Sequence, residues 1–395
     1  MDNLYDYLYW RGDISFEVIP PNEIDFAIFS LLSYINFLDD MELKADYKSY
    51  NLFTLENYMK KNGYLKIEQH YPNFKKQCIE LLSLVALKKR YKDVKVFGYS
   101  FNFEKINTLQ FAAISFELPN NEIVISYRGT DTSLLGWKED FMMSFKKFVG
   151  AQENGLHYLK NLLNITNKNL YIVGHSKGGN IALYSALKIQ DMYNNRILGV
   201  YSFDGPGFNE KTLKDFENSD IRHKMITLVP QGSVIGILMQ HEEPIEIVYS
   251  NKRNKIAQHA IFSWQVEIDK FKRIEERAKG SLIFDKSIRT WLEKLDEKDM
   301  ENFIESLFDT TECLKIEDIS ELKLRPLKTI YSLLSSCAIN NSQNRKLVEK
   351  VIGSLMESMK VTTVEEYRNK KETLINQFKK NKKMRNEENK IDLLE

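Results

Sequence analysis

The run Leu170-Tyr171-Ile172-Val173-Gly174-His175-Ser176-Lys177-Gly178-Gly179-Asn180-Ile181-Ala182-Leu183-Tyr184 decides how this chain is read. Its first four residues are apolar and β-prone, the length of a buried strand, and residues 178–188 read as a helix. Between the two sits a serine flanked at two-residue distance by Gly174 and Gly178, in a turn too tight for side chains on either side. A strand that feeds a helix through such a turn lifts the serine hydroxyl above the edge of the sheet. It also aims the first free N–H groups of the helix, and the positive end of its dipole, at charge developing on an atom bonded to that hydroxyl. A glycine-rich βα turn with an inert serine satisfies the same letters, but the strand and helix on either side favour the chemical reading.

Working outward, residues 94–99, 109–118 and 122–127 are short β-rich runs, the last two joined by the turn Pro119-Asn120-Asn121, which predicts an antiparallel start to a sheet. Beyond them strand and helix alternate: a helix at 152–163, the elbow strand and helix, then strands at 198–203, 225–229 and 246–249. Helices between hydrophobic strands predict a mostly parallel sheet covered on both faces. With a serine elbow at its centre this is an α/β class chain of the α/β-hydrolase fold. The first 90 or so residues read as mainly helical, with an apolar-periodic stretch at 24–37 packed on the main domain. After Trp264 the pattern turns to charged and apolar helical periodicity at 270–277, 301–308, 327–336 and 345–359, and the basic stretch 379–385 reads as a solvated helix. The expected organisation is a hydrolase domain over 1–270, N-terminal helices included, and a C-terminal helical region over 271–395, with the boundary near 270–285.

Lys plus Arg (56) balances Asp plus Glu (55), which removes bulk attraction to nucleic acid or anionic membrane and leaves peripheral membrane contact to a local patch such as 379–385. The three cysteines, Cys78, Cys313 and Cys337, lie far apart and suggest neither a disulfide framework nor a zinc site. No basic and apolar leader opens the sequence and no run of about 18 apolar residues occurs. The expectation is a soluble, cytoplasmic protein that needs no metal or cofactor and no nucleic acid.

Upstream of the elbow, Arg128-Gly129-Thr130 closes a strand and Trp137-Lys138-Glu139-Asp140 follows. With Gly174-His175-Ser176-Lys177-Gly178-Gly179 this set resembles the class 3 (fungal-type) lipases, whose pattern is a strand, Arg-Gly-Ser/Thr, Trp-x-x-Asp and then GHSxGG. It is similar above all to an uncharacterised bacterial branch of that superfamily, through Trp10-Arg11-Gly12-Asp13, Asp204-Gly205-Pro206-Gly207, and Gln258-His259 near Ser263-Trp264. The resemblance covers roughly residues 1–266. It implies an ester hydrolase with Ser176 as nucleophile, Thr130 as second oxyanion residue beside the Lys177 amide, and a small-molecule or lipid ester as substrate.

Of the six histidines, only His241 and His259 follow the late strands where a general base belongs. His259 matches the family position, and His241 comes one strand too early. Where the lipases carry their acid this chain has Ser233, which cannot hold the charge, so Asp204 at the end of the preceding strand is expected to replace it. An Asp204 that merely caps its own turn stays open, as does a Thr130 that only ends its strand. So does a catalytically quiet hydrolase fold used as a binding or regulatory module, which the missing acid at Ser233 and the helical C-terminal region both prompt.

Overall fold

The central strands assemble into one eight-stranded sheet whose spatial order is the chain order. The computed structural model describes residues 2–41, 43, 48–131, 133–216, 219–292, 298–302, 304–305 and 308. Helices α1 (Leu4–Arg11) and α2 (Glu23–Leu32) come first, then strand β1 (Tyr50–Asn51), α3 (Leu52–Lys61) and α4 (Asn73–Ala86). Strands β2 (Lys95–Glu104), β3 (Leu109–Glu117) and β4 (Ile123–Tyr127) follow, then α5 (Leu134–Met142) and α6 (Gly150–Ile165). The elbow joins β5 (Leu170–His175) to α7 (Lys177–Tyr193). After it come β6 (Ile197–Phe203), α8 (Glu210–Leu213), β7 (Met225–Pro230), β8 (Ile245–Val248), α9 (Lys255–Gln258), β9 (Val266–Glu267), β10 (Lys270–Phe271) and α10 (Lys279–Leu292).

β1 to β4 pair antiparallel, and β4 to β8 pair parallel, as expected of an α/β-hydrolase fold with an antiparallel start. Parallel strands laid down in chain order with right-handed crossovers send their connecting helices to the same face. Accordingly α6 and α7 share one core with Ile123, Ile125, Leu170 and Ile172. The opposite face is left to the N-terminal segment: Phe26 and Phe29 of α2 pack there with Val124, Val173 and Phe203. The Phe26 ring lies 4.5 Å from both Tyr171 and Tyr201, and Phe29 lies 4.8 Å from Phe116. The first 90 residues are therefore the second cover of the sheet.

α2 is apolar nearly all round and buried to match. Asn22 caps it in a box with Asp25. The apolar stretch to residue 37 does not continue the helix, which ends at Leu32: Ser30 and Ser33 donate their hydroxyls back to Ala27 O and Ser30 O, and the chain leaves in tighter turns, Tyr34 N to Leu31 O and Ile35 N to Leu32 O. Asp25 and Arg90, both fully buried, pin this segment to the end of α4. The Arg90 guanidinium donates to both Asp25 oxygens (2.9 and 2.5 Å) and to the carbonyls of Ile14, Ile19 and Pro20, and lies 4.0 Å over the Phe16 ring. The Tyr7 and Tyr91 hydroxyls also donate to Asp25.

The helix expected at 270–277 is not formed. β10 pairs with β9, Arg273 bridges Val248, and Tyr249 N and Ile274 N bond to Lys272 O and Ile247 O. The open edge of β8 needs backbone partners, which outweighs local helical periodicity; Arg273 is also held by Glu23 and Glu246. The described positions within 298–308 are helical, and Phe308 lies 6.4 Å from Phe141 of α5. The stretches 327–336, 345–359 and 379–385 lie outside the described residues, as do Cys313 and Cys337, while Cys78 is buried in the N-terminal core. No described helix is long and apolar enough to cross a membrane.

Candidate active site

β5 and β6 run in register up to His175 opposite Phe203, so the next residues, Ser176 and Asp204, stand at adjacent strand ends. Both carry positive φ, 59° and 51°, as the chain turns sharply away from the sheet. Ser176, at φ 59° and ψ −132°, holds a conformation that L side chains rarely adopt. The elbow glycines are required by close approach. A Cβ on Gly174 would lie 2.1 Å from Gly178 O, one on Gly178 2.1 Å from Tyr127 O, and one on Gly129 2.2 Å from the Tyr34 hydroxyl and 2.9 Å from Ser176 Cβ. The Arg-Gly-Thr turn and the elbow therefore pack backbone against backbone. Ser176 is 7% exposed, and among the described residues its hydroxyl makes no hydrogen bond.

His259 ends the one-turn helix α9, which Asn254 caps. Its Nδ1 lies 2.7 Å from Asp204 Oδ2. The Asp204 carboxylate is buried, and its other oxygen accepts from the Ser233 hydroxyl (2.5 Å) and from Gly236 N (3.2 Å). Asp204 is thus more than a turn cap. Ser233 is a donor to the carboxylate at the neighbouring strand end. The Ser233 carbonyl in turn accepts from the Ser281 hydroxyl at the start of α10. His241 sits elsewhere, buried against Glu243 at 2.7 Å.

A second histidine, His175, supports the first. Its Nε2 lies 2.8 Å from the His259 carbonyl and its Nδ1 2.9 Å from the Tyr34 hydroxyl. A carbonyl can only accept, so Nε2 carries the proton and Nδ1 accepts from Tyr34. Burial, and then the neighbouring His259, hold the His175 pKa well below the ordinary imidazole value, which keeps that tautomer neutral. Phe74 stacks on the His175 ring at 5.5 Å. Tyr34 and Phe74 come from the N-terminal cover, a contribution that pattern reading missed because aromatic residues in a helical segment look like any core residue.

Thr130 donates its hydroxyl to Asp140 Oδ2 at 2.6 Å. A hydroxyl has one proton, so in this arrangement the Thr130 donor free for another acceptor is the backbone N–H. The Lys177 side chain is 1% exposed, with Nζ 3.0 Å from Glu139 Oε2, 3.1 Å from Gln110 O and 3.6 Å from Asp140 Oδ1. Glu139 is saturated by the amides of Gln110 and Ala151 as well. Sequence reading used only the Lys177 amide. One signal could have exposed the side chain's role: a cation at the first position of a helix opposes the dipole and needs an acidic partner. Among the described residues, no group of three or more His, Cys, Asp or Glu side chains is placed to hold a metal ion.

The model of a family described as Mbeg1-like matches residues 85–309, more than half of the chain. The chain belongs to the Mbeg1-like family. The match takes in Thr130, the elbow, Asp204, Ser233 and His259, and leaves most of the N-terminal cover outside it. No curated protein matches this Mbeg1-like chain. Among solved structures it is similar to M37 lipase (16% identity, 63% of this chain and 81% of that one, TM-score 0.35). Lipase II from Rhizopus niveus (12%, 57% and 80%, TM-score 0.35) and the Lip2 lipase from Yarrowia lipolytica (12%, 58% and 80%, TM-score 0.33) are similar as well.

Proposed function

We propose that this Mbeg1-like chain is a serine hydrolase that cleaves a carboxylic ester, of a small molecule or a lipid, through an acyl-enzyme on Ser176. The observation that carries the reading is the 2.7 Å contact of His259 Nδ1 with a buried Asp204 at the strand end beside the strained Ser176 turn. Asp204 holds the imidazole with its proton on Nδ1, leaving Nε2 to accept the Ser176 proton. The serine then attacks the ester carbonyl, and the Lys177 and Thr130 amides receive the oxyanion. Collapse expels the alcohol, protonated by His259. Water, deprotonated by the same imidazole, releases the acid. Every step uses side chains and backbone of this chain alone.

The test is labelling with a fluorophosphonate, followed by rates on p-nitrophenyl esters from acetate to laurate. The wild type is expected to label, and His259→Ala to label roughly a thousandfold more slowly. A folded wild type that does not label would favour the other reading, a hydrolase-shaped binding or regulatory module, to which the unbonded Ser176 hydroxyl lends support.

Ser233→Ala tests the acid's surroundings. It removes one of the two donors to Asp204 Oδ1, and a hydrogen bond to a charged group contributes about 1.5–3 kcal/mol. The labelling rate should fall about tenfold, and an unchanged rate would show that Asp204 does not depend on this donor.

A further inference from the structure

Two residues assigned to the oxyanion meet in one buried cluster that the reaction itself does not use. Lys177 Nζ faces Glu139 and Asp140 of α5, and Asp140 takes the Thr130 hydroxyl. Glu139 has its full set of partners, the amides of Gln110 and Ala151 and the Lys177 ammonium. Asp140 does not: Oδ1 is buried and makes no hydrogen bond, so the Lys177 ammonium 3.6 Å away is the cation facing it. Resting on the ester-hydrolase reading, we propose that the Lys177 side chain is a positioning residue: it keeps the Asp140 carboxylate charged against the Thr130 hydroxyl and thereby holds the Thr130 amide in place for the oxyanion.

The electrostatics agree. Burial, opposed by Lys177 and by the Thr130 hydrogen bond, pushes the Asp140 pKa up to about 6, and Glu139 adds to the rise. Burial acts to lower the Lys177 pKa, but Glu139, Asp140 and more distantly Asp131 outweigh it, and the net shift is upward, so the lysine stays charged. Tyr34, whose pKa burial holds well above its ordinary value, is a further neighbour and remains neutral. Without the ammonium, Asp140 would take up a proton near neutrality, and a charge-assisted hydrogen bond to Thr130 would become an ordinary one.

Lys177→Met alone leaves two carboxylates facing each other and can fail to fold, so the working variant is Lys177→Met/Glu139→Gln, compared with Asp140→Asn. The fluorophosphonate labelling rate is measured against pH for all three proteins. Lys177 lowers the Asp140 pKa more than Glu139 raises it, so the double variant should move the acid limb up by about one pH unit. At pH 7 its rate should be about half that of wild type and at pH 5 about tenfold lower, with wild-type rates recovered above pH 8 as Asp140 ionises again. Asp140→Asn, which cannot ionise, should show the low-pH loss at every pH, without recovery. A loss in the double variant that does not recover with pH, or no loss at all, overturns the proposal. The Asp140 carboxyl ¹³C shift gives a readout independent of turnover. An Asp140 titration that does not move between wild type and double variant overturns the proposal even if the protein proves inert. An unlabelled wild type with a shifted Asp140 titration would sink the hydrolase reading while leaving the Lys177 control of Asp140 standing.

Discussion

Ser176→Ala is expected to abolish fluorophosphonate labelling and to lower any esterase rate by at least about a thousandfold. It should do so without unfolding the protein. The Ser176 hydroxyl makes no hydrogen bond among the described residues, and alanine keeps the Cβ that already fits beside Gly129. The thermal transition should therefore stay within about a degree of wild type, since no buried partner is orphaned. Glycine at the same position accepts φ 59° freely and should stabilise by about 1 kcal/mol, because relief of backbone strain exceeds the added chain entropy. The pair of variants separates chemistry from folding: both lose labelling, neither loses stability. Labelling that survives in Ser176→Ala would place the reactive group elsewhere and end the proposed mechanism.

The largest stability effect is expected at Arg90. Arg90→Met removes a guanidinium that is fully buried and bonded to Asp25 and to three backbone carbonyls. It leaves a buried carboxylate supported by the Asn22 amide and the Tyr7 and Tyr91 hydroxyls, with the carbonyls of Ile14, Ile19 and Pro20 stripped of this donor. Breaking one side of a buried ion pair costs about 3–5 kcal/mol, which should lower the thermal transition by roughly 5–10 °C. Adding Asp25→Asn should recover part of the loss, because the uncompensated charge goes. The cluster joins the N-terminal cover to α4, and that cover supplies Tyr34 and Phe74 to His175, so labelling should weaken along with stability. A full-strength Arg90→Met protein would mean that the N-terminal cover is held by its apolar packing alone.

The elbow and the strands from β2 to β8 were legible because they rest on local rules, whereas Asp204 and His259 were expected from their places after the later strands and from the resemblance to the class 3 lipases. Strand periodicity, the strand-turn-helix context and glycines at fixed spacing are properties of neighbouring residues. One error fell where a distant partner decides, the other where local side-chain bonds end a helix. Residues 270–277 carry helical periodicity yet extend along the open edge of β8, whose unpaired backbone groups are invisible from their own sequence. The stretch to residue 37 stops being helical at Leu32, where serine hydroxyls turn back onto the backbone.

By itself, then, the sequence determined the α/β alternation and the strained serine turn, because each follows from residue type and spacing over a few positions. Only the tertiary structure decided how the polar residues are wired. It made Ser233 a donor to Asp204, gave the Thr130 hydroxyl to Asp140, buried Lys177 among carboxylates and set His175 between Tyr34 and the His259 carbonyl. The physical reason is that a buried polar group must find its partner in space, and in this chain those partners lie from 10 to 141 residues away.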